Sequence, residues 1–397
     1  MSDLLSRAAE SFSDALFIQE GNRRLTFAEA EKAVVARGEK PQVVTPILDT
    51  DSILDVLAAM RSGGVVLVGP KWPKALVRDR LDSLPRDRLA GTMMFTSGSS
   101  GPAKGVLLLE SNWEAAGTNS SAFFGFGRGD LWLLSLPLHH VSGLSIVFRA
   151  LCSGGAVLIS PDLGLLSAAD FASVVPTQLS RLTDPGKVRT LVVGGGGLSA
   201  GLTDRVQDWP VVRTYGMTET AAVAASAPLK DGLGALYPLP GVQFRERGGL
   251  LEVRGPQVST GYLGEIRRAT WFTTSDRGAV QTDGSIEVFG RADRVINSGG
   301  EKIDAAAVER ALAAVGVKDV AAVGLPDAEW GEIVAAAYTG DCDTEELRRA
   351  VRDFVGPEAV PRRLLKVGAL PRTDVGKVDY PALLRLFALT SPLDPPA

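Results

Sequence analysis

Nine residues, Thr96-Ser97-Gly98-Ser99-Ser100-Gly101-Pro102-Ala103-Lys104, hold four hydroxyl side chains, two glycines and a lysine. Apolar runs flank them, Met93 to Phe95 before and Val106 to Leu109 after, so the pattern predicts strand, tight loop, strand. Glycines let a backbone approach an oxyanion closely, and consecutive N–H groups make an anion-binding nest. Hydroxyls and a lysine add donors, which suits a polyphosphate. The common P-loop requires Ser or Thr after its lysine, whereas Gly105 follows Lys104 here. Taken alone, the segment also reads as a Ser/Gly surface turn.

Four further clusters carry chemistry. Tyr215-Gly216-Met217-Thr218-Glu219-Thr220 offers a ring to stack on a purine, a hydroxyl for a phosphate and a carboxylate for Mg²⁺. Its bland alternative is a loop leading into a helix capped by Thr218. Thr273-Thr274-Ser275-Asp276-Arg277-Gly278 places an aspartate on an expected turn, where it can accept both hydroxyls of a ribose; aspartate is also common in turns for its own sake. Gly290-Arg291-Ala292-Asp293-Arg294, continuing to Asn297-Ser298-Gly299-Gly300-Glu301-Lys302, mixes guanidinium, carboxylate and glycines as a ligand-contacting hinge would, or a solvated linker. Pro371-Arg372-Thr373-Asp374-Val375-Gly376-Lys377-Val378-Asp379 sets a lysine after a glycine on a turn; on its own it is one exposed cation among many.

The elements that must position these clusters alternate. Thr26 and Glu29 form a capping box, predicting a helix from about Phe27. Ser52 to Met60 reads as helix, Val65 to Val68 as strand, Leu131 to Leu136 as strand, Leu144 to Cys152 as helix and Ala156 to Ile159 as strand. Thr190 to Val193 reads as a strand ending in four glycines, Gly194 to Gly197, followed by a helix from Ala200 to Trp209. Alternation of this kind predicts an α/β architecture with largely parallel sheets. After about Gly232 come short strand-like runs, with Asp283-Gly284 as a hairpin signal. Beyond Asp293 the pattern is α+β: helix Ala305 to Ala314, strands Asp319 to Val323 and Ile333 to Tyr338, and helix Thr344 to Val355. The expected division is a large domain over 1–292, a small one over 293–390 and a disordered, proline-rich tail over 391–397.

The totals exclude several classes. A chain of 397 residues, 45% hydrophobic and 22% charged, has enough length for two or three domains and a large core. A net charge of -4 gives no basic surface for nucleic acid. Cys152 and Cys342 lack metal-ligand spacing and read as free thiols. No signal-like segment and no run of membrane-spanning length is visible, so a cytoplasmic protein is expected.

Together, in this order, the five clusters resemble the signature motifs of the acyl-adenylating superfamily: acyl- and aryl-CoA synthetases, peptide-synthetase adenylation domains and luciferases. The resemblance spans about residues 92–380. It departs at Pro102, one place earlier than the usual proline directly before the lysine, and in a short region before the phosphate loop, which implies a trimmed N-terminal part. It implies ATP, Mg²⁺ and coenzyme A as ligands, and it admits a homodimer. Thr96, Ser97, Gly98, Ser99, Ser100, Gly101 and Lys104 would hold phosphates. Gly195, Gly196, Tyr215, Gly216, Asp276 and Arg291 would hold the rest of the nucleotide. Lys377, Thr218 and Glu219 would be catalytic, Glu219 also holding Mg²⁺. Asp293 would be the hinge about which Gly299, Gly300 and Lys302 enter for a second, thiol-dependent step.

The only two histidines, His139 and His140, lie in Pro137-Leu138-His139-His140-Val141-Ser142-Gly143. Two histidines alone make no metal site. This stretch, with Ser173 to Leu179, resembles the o-succinylbenzoate–CoA ligase branch, which serves menaquinone biosynthesis. The resemblance sets His140, Ser142, Arg149, Thr177, Gly194 and Gly195 against the acyl substrate. Arg149 is the candidate partner for a second substrate carboxylate, since guanidinium matches carboxylate bidentately; the alternative is an arginine on a helix surface. Other readings are another aryl- or medium-chain acyl-CoA ligase, a carrier-protein-loading adenylation enzyme, or an inactive nucleotide-binding scaffold.

Overall fold

The computed structural model describes residues 3–38, 43–69, 91–96, 104–198, 200–266, 270–317, 319–373 and 376–390. Four sheets organise them. The largest has nine strands in the order Tyr237–Pro238, Ala222–Pro228, Val211–Met217, Thr190–Val193, Phe171–Val174, Leu131–Leu134, Ala156–Ile159, Leu16–Glu20 and Arg23–Thr26. Its central pairs are parallel, from Val211–Met217 across to Leu16–Glu20, and its margins antiparallel.

The central strands are continuously apolar because helices or loops cover both faces. Trp132, Leu134, Val157, Ile159 and Phe171 turn to one core with Trp113 and Phe148, while Leu133, Leu158, Ala172, Val174 and Leu191 turn to the other. The Trp113 and Phe148 rings stack at 4.5 Å, and Trp132 stacks on Phe171 at 5.1 Å. Truncating such a ring to Ala costs about 3–5 kcal/mol.

The expected capping box is present: Glu29 N donates to Thr26 Oγ1, and Thr26 N to Glu29 Oε2, opening the helix Phe27–Arg37. The helix Thr50–Arg61 starts at Asp49, whose side chain accepts from Ser52 N. After the glycine-rich loop the helix is shorter than the sequence implied, Ala200–Val206.

A six-stranded sheet contains the antiparallel pair Gly91–Thr96 and Lys104–Leu109, with Thr96 opposite Lys104. A four-stranded antiparallel sheet, Gln243–Arg247, Leu250–Arg254, Phe272–Val280 and Ile286–Arg291, ends where a 3-10 turn, Ala292–Arg294, begins. The last sheet holds Val295–Ser298, Glu301–Asp304, Asp319–Asp327, Gly331–Thr339 and Arg363–Lys366. Helices Ala305–Ala314 and Thr344–Phe354 pack on one of its faces and Tyr380–Leu389 on the other. The fold is thus α/β in its large N-terminal part, with a β-rich subdomain and an α+β C-terminal domain.

One alternative falls and one expectation needs correction. The loop and Thr218-capped helix offered as the bland alternative for this cluster are not found: Tyr215 and Gly216 lie on the strand Val211–Met217, and the next element is a single 3-10 turn, Thr218–Thr220. Asp276 lies within the strand Phe272–Val280, not on a turn. In both strands a register shift, between Tyr215 and Gly216 and between Arg277 and Gly278, interrupts the alternation that marks a strand.

Candidate active site

Parallel α/β sheets bind ligands beyond the carboxyl ends of their strands. Here those ends deliver several of the singled-out residues. Leu131–Leu134 leads to His140, Phe171–Val174 to Thr177, Thr190–Val193 to Gly194, Gly195 and Gly196, and Val211–Met217 ends in Tyr215, Gly216 and then Thr218. Space is tight at this rim. A Cβ on Gly194 would lie 2.5 Å from Thr214 Oγ1, and one on Gly216 only 1.6 Å from the Ala222 carbonyl oxygen. Ala221 and Ala222 both have positive φ, a strained turn held by Gln257, whose buried amide donates to the Thr220 and Val223 carbonyls.

The four-stranded sheet brings Asp276 against Tyr215. The Tyr215 hydroxyl donates to Asp276 Oδ2 at 2.6 Å. Arg291, opposite Asp276 in register, has Nη1 3.8 Å from Asp276 Oδ1 and forks onto Asp293 through Nε at 2.7 Å and Nη2 at 2.6 Å. Burial raises the Asp276 pKa, opposed by Tyr215 and Arg291. The hydrogen bond from Arg291 to Asp293 raises the arginine's pKa. Burial and the charge on Asp276 push Tyr215 well above an ordinary phenol.

Lys377 comes to the same place from the C-terminal domain. Its Cε stands 3.4 Å from the Cβ position of Gly195, and a Cβ on Gly376 would meet Thr177 Oγ1 at 2.6 Å. Water reaches Lys377, but the surrounding protein lowers its pKa by desolvation; Arg291 acts in the same direction and Asp276 against it. The structure therefore gathers Thr177, Gly195, Tyr215, Asp276, Arg291, Asp293 and Lys377.

A second group forms around Glu219. The Tyr262 hydroxyl donates to Glu219 Oε1 at 2.9 Å, and the Lys104 ammonium lies 5.0 Å from the centre of the Tyr262 ring. Tyr262 was not singled out in the sequence; Gly261-Tyr262 forms a two-residue strand beside Lys104–Leu109, and only that pairing reveals it. Mg²⁺ typically takes one or two carboxylates and completes its shell with water and substrate phosphates. Glu219 fits that role, since Tyr262 engages one oxygen and leaves the other for a cation. Among the described residues no group of three or more His, Cys, Asp or Glu gathers as a metal cage. Ser97, Gly98, Ser99, Ser100 and Gly101 lie outside the described residues.

His140 is the N-cap of the helix Val141–Ser153, with its ring 4.4 Å from that of His139. Ser142, Ser145 and Arg149 fall at i, i+3 and i+7, one stripe of that helix. Arg149 is not on a surface: it is 2% exposed, with its guanidinium 4.7 Å from the Trp132 ring and 5.6 Å from Phe124. Its Nε donates to Ser120 Oγ at 3.0 Å, and no carboxylate pairs with it among the described residues. Burial alone lowers its pKa to about 9, which leaves it a cation at neutral pH. Gly299, Gly300 and Lys302 belong to none of these groups. They form the turn of a hairpin in the C-terminal domain, where a Cβ on Gly299 would meet the Trp330 ring at 2.5 Å.

Residues 8–263 match the family described as AMP-binding enzyme, and residues 307–377 match the AMP-binding enzyme C-terminal domain. The chain belongs to this family of AMP-forming acyl-CoA ligases. A 2-succinylbenzoate–CoA ligase of Listeria monocytogenes is 32% identical over 324 residues, covering 73% of this chain and 68% of that protein. A probable 2-succinylbenzoate–CoA ligase of Mycobacterium tuberculosis is 34% identical over 332 residues, covering 75% and 84%. In three dimensions, o-succinylbenzoate CoA synthetase from Bacillus subtilis in complex with the acyl-adenylate OSB-AMP matches with a TM-score of 0.83 over 99% of both chains, at 22% identity. ATP-bound MatB from Rhodopseudomonas palustris matches with a TM-score of 0.84 over 97% of this chain and 98% of its own, also at 22% identity. These two structures share the fold. No helix among the described residues is long and apolar enough to cross a membrane.

Proposed function

We propose that this chain joins o-succinylbenzoate to coenzyme A at the expense of ATP, through an acyl-AMP intermediate. The relatives named as 2-succinylbenzoate–CoA ligases support the substrate. The observation that carries the reading is Arg149, a buried cation with no carboxylate partner among the described residues, on the helix stripe that begins at Ser142 beside His140. A desolvated charge is costly unless paired, and a substrate with two carboxylates supplies the missing partner. A fatty acid would leave that cation unused.

In the first half-reaction a carboxylate oxygen attacks the α-phosphorus of ATP. The bond to the bridging oxygen breaks, giving acyl-AMP and pyrophosphate. Two anions approach each other, so cations must offset the charge that develops. Lys377 is assigned to the carboxylate and α-phosphate, Thr218 to the α-phosphate, and Thr96 to Lys104 to the β- and γ-phosphates. Mg²⁺, when bound with the nucleotide and held by Glu219, adds positive charge against the phosphates. Tyr215 and Gly216 take the adenine side, with Gly195 and Gly196 beside them, while Asp276 and Arg291 take the ribose. His140, Thr177 and Gly194 line the acyl group. In the second half-reaction the coenzyme A thiol gives up its proton and attacks the acyl carbon, releasing AMP. Rotation about Asp293 withdraws Lys377 and brings in Gly299, Gly300 and Lys302, because one cleft cannot hold both the pyrophosphate machinery and a thiol path.

The test is incubation of the purified chain with o-succinylbenzoate, ATP, Mg²⁺ and coenzyme A. Mass detection of o-succinylbenzoyl-CoA, with AMP and pyrophosphate in equal amounts, is expected. Absence of thioester, while another acid is activated, rejects this substrate.

A further inference from the structure

The lysine at the centre of the proposed chemistry stands on a tight hairpin. Thr373 N donates to the Lys377 carbonyl at 2.8 Å, Gly376 N to the Thr373 carbonyl at 2.9 Å, and Asp379 N to the Pro371 carbonyl at 2.9 Å. Arg372 and Val378 form an isolated antiparallel bridge, and Asp379 then caps the helix Tyr380–Leu389 by accepting from Ala382 N. Leu370 and Val378 pack against the C-terminal sheet, but these apolar contacts do not hold the Gly376 carbonyl.

One side chain supplies a polar link to that carbonyl. Arg372 Nη1 donates to the Gly376 carbonyl oxygen at 2.6 Å, and its Nη2 donates to Asp319 Oδ2. Asp319 opens the strand Asp319–Asp327, in register with Thr339 on the long strand Gly331–Thr339. One planar guanidinium therefore ties the C-terminal sheet to the carbonyl immediately before Lys377. A peptide unit is planar, so holding the Gly376 oxygen fixes the Lys377 nitrogen and Cα as well. It thereby sets the direction in which the lysine leaves the backbone. Gly376 has φ +77°, a conformation in which glycine is unstrained but loosely held, so an external anchor on its carbonyl has something to restrain.

We propose that Arg372, braced by Asp319, is a positioning residue that aims Lys377 into the adenylation site. The bland alternative is a surface ion pair: the Arg372 and Asp319 side chains are 26% and 34% exposed, and pairs at that exposure contribute little to stability. The two roles predict different things. A surface pair lost should move almost nothing, and an aiming device lost should move one half-reaction. The proposal rests on the assignment of Lys377 to adenylation made above.

The experiment uses the full chain and measures the half-reactions separately: pyrophosphate release with o-succinylbenzoate, ATP and Mg²⁺, and thioester formation from supplied o-succinylbenzoyl-AMP and coenzyme A. Displacing a reacting group by about 1 Å can cost on the order of 10²-fold, so Arg372→Ala should lower adenylation kcat by about 10- to 100-fold. KM for ATP should stay within about twofold, because binding is not what is lost. Thioester formation and the melting temperature should match the parent. Arg372→Lys, which cannot serve both acceptors in one fork, should fall between, and it keeps the test alive should the alanine variant fold poorly. The exchange Arg372→Asp with Asp319→Arg restores an ion pair but leaves the Gly376 carbonyl without its donor, so adenylation should remain low. Adenylation by Arg372→Ala within about twofold of the parent, with Lys377→Ala inactive, overturns the proposal. So does an equal loss in both half-reactions with a lowered melting temperature. If instead Lys377→Ala adenylates normally, the assignment of Lys377 fails first.

Discussion

Arg291, at the cleft, and Arg149, enclosed in the core by Trp132 and Phe124, are treated by the protein in opposite ways. Arg291 is half exposed, forks onto Asp293, faces Asp276, and has its pKa raised. Arg149 is buried between two aromatic rings with one serine bond, and its pKa is lowered. The protein provides the anions for the first and none among the described residues for the second. A charge already paired holds a framework, here the end of the strand Ile286–Arg291, Asp276 and the turn Ala292–Arg294. A charge kept unpaired at a cost is available to a ligand.

The largest expected effect concerns Lys377, the cation proposed for the reaction itself. Removing one charge-stabilising donor typically costs about 10²–10³ in rate, so Lys377→Ala should slow adenylation by that much and leave thioester formation from supplied acyl-AMP within a few-fold. Stopped assays of pyrophosphate and of thioester separate the two. Next comes the unpaired arginine. A hydrogen bond to a charged group is worth about 1.5–3 kcal/mol, so Arg149→Met should raise KM for o-succinylbenzoate by roughly 10- to 100-fold. The same change removes a desolvated cation from the core, so the melting temperature should hold or rise. A KM unchanged and a fall in melting temperature would make Arg149 a structural residue only.

A pH profile sharpens the contrast. In the proposed chemistry Lys377 must carry its proton to offset developing charge. With its pKa lowered, that proton leaves at lower pH than an ordinary lysine's, so adenylation should decline on the alkaline side early. Thioester formation should not share that limb, since the attacking thiol gains from rising pH. The smallest effect belongs to the paired framework. Tyr215→Phe removes one hydrogen bond to Asp276 and should raise KM for ATP a few-fold. Because Tyr215 holds the Asp276 pKa down, the variant's carboxylate should protonate at higher pH, moving the acid limb of ATP binding upward.

Locally encoded features were legible in the sequence. The Thr26–Glu29 capping box needs only four residues, and it opens the helix where expected. The ordered motifs were legible too, because each concentrates glycines, hydroxyls and charges in a few positions. Asp276 was misplaced onto a turn because a bulge breaks the two-residue alternation of its strand. The burial of Arg149 had a signal that charge alone obscured: apart from Ser145 and Arg149 itself, Leu144 to Leu151 is apolar on every face, which marks a helix enclosed on all sides. The bond from Tyr262 to Glu219 spans 43 residues and depends on two sheets meeting, which no local pattern records.

The most direct measurement is ATP–pyrophosphate exchange by the unaltered chain with two acids, o-succinylbenzoate and its analogue lacking the ring carboxylate. An arginine kept for a second carboxylate requires kcat/KM for the dicarboxylate to exceed that for the analogue by at least about tenfold. Equal values for the two acids would contradict it.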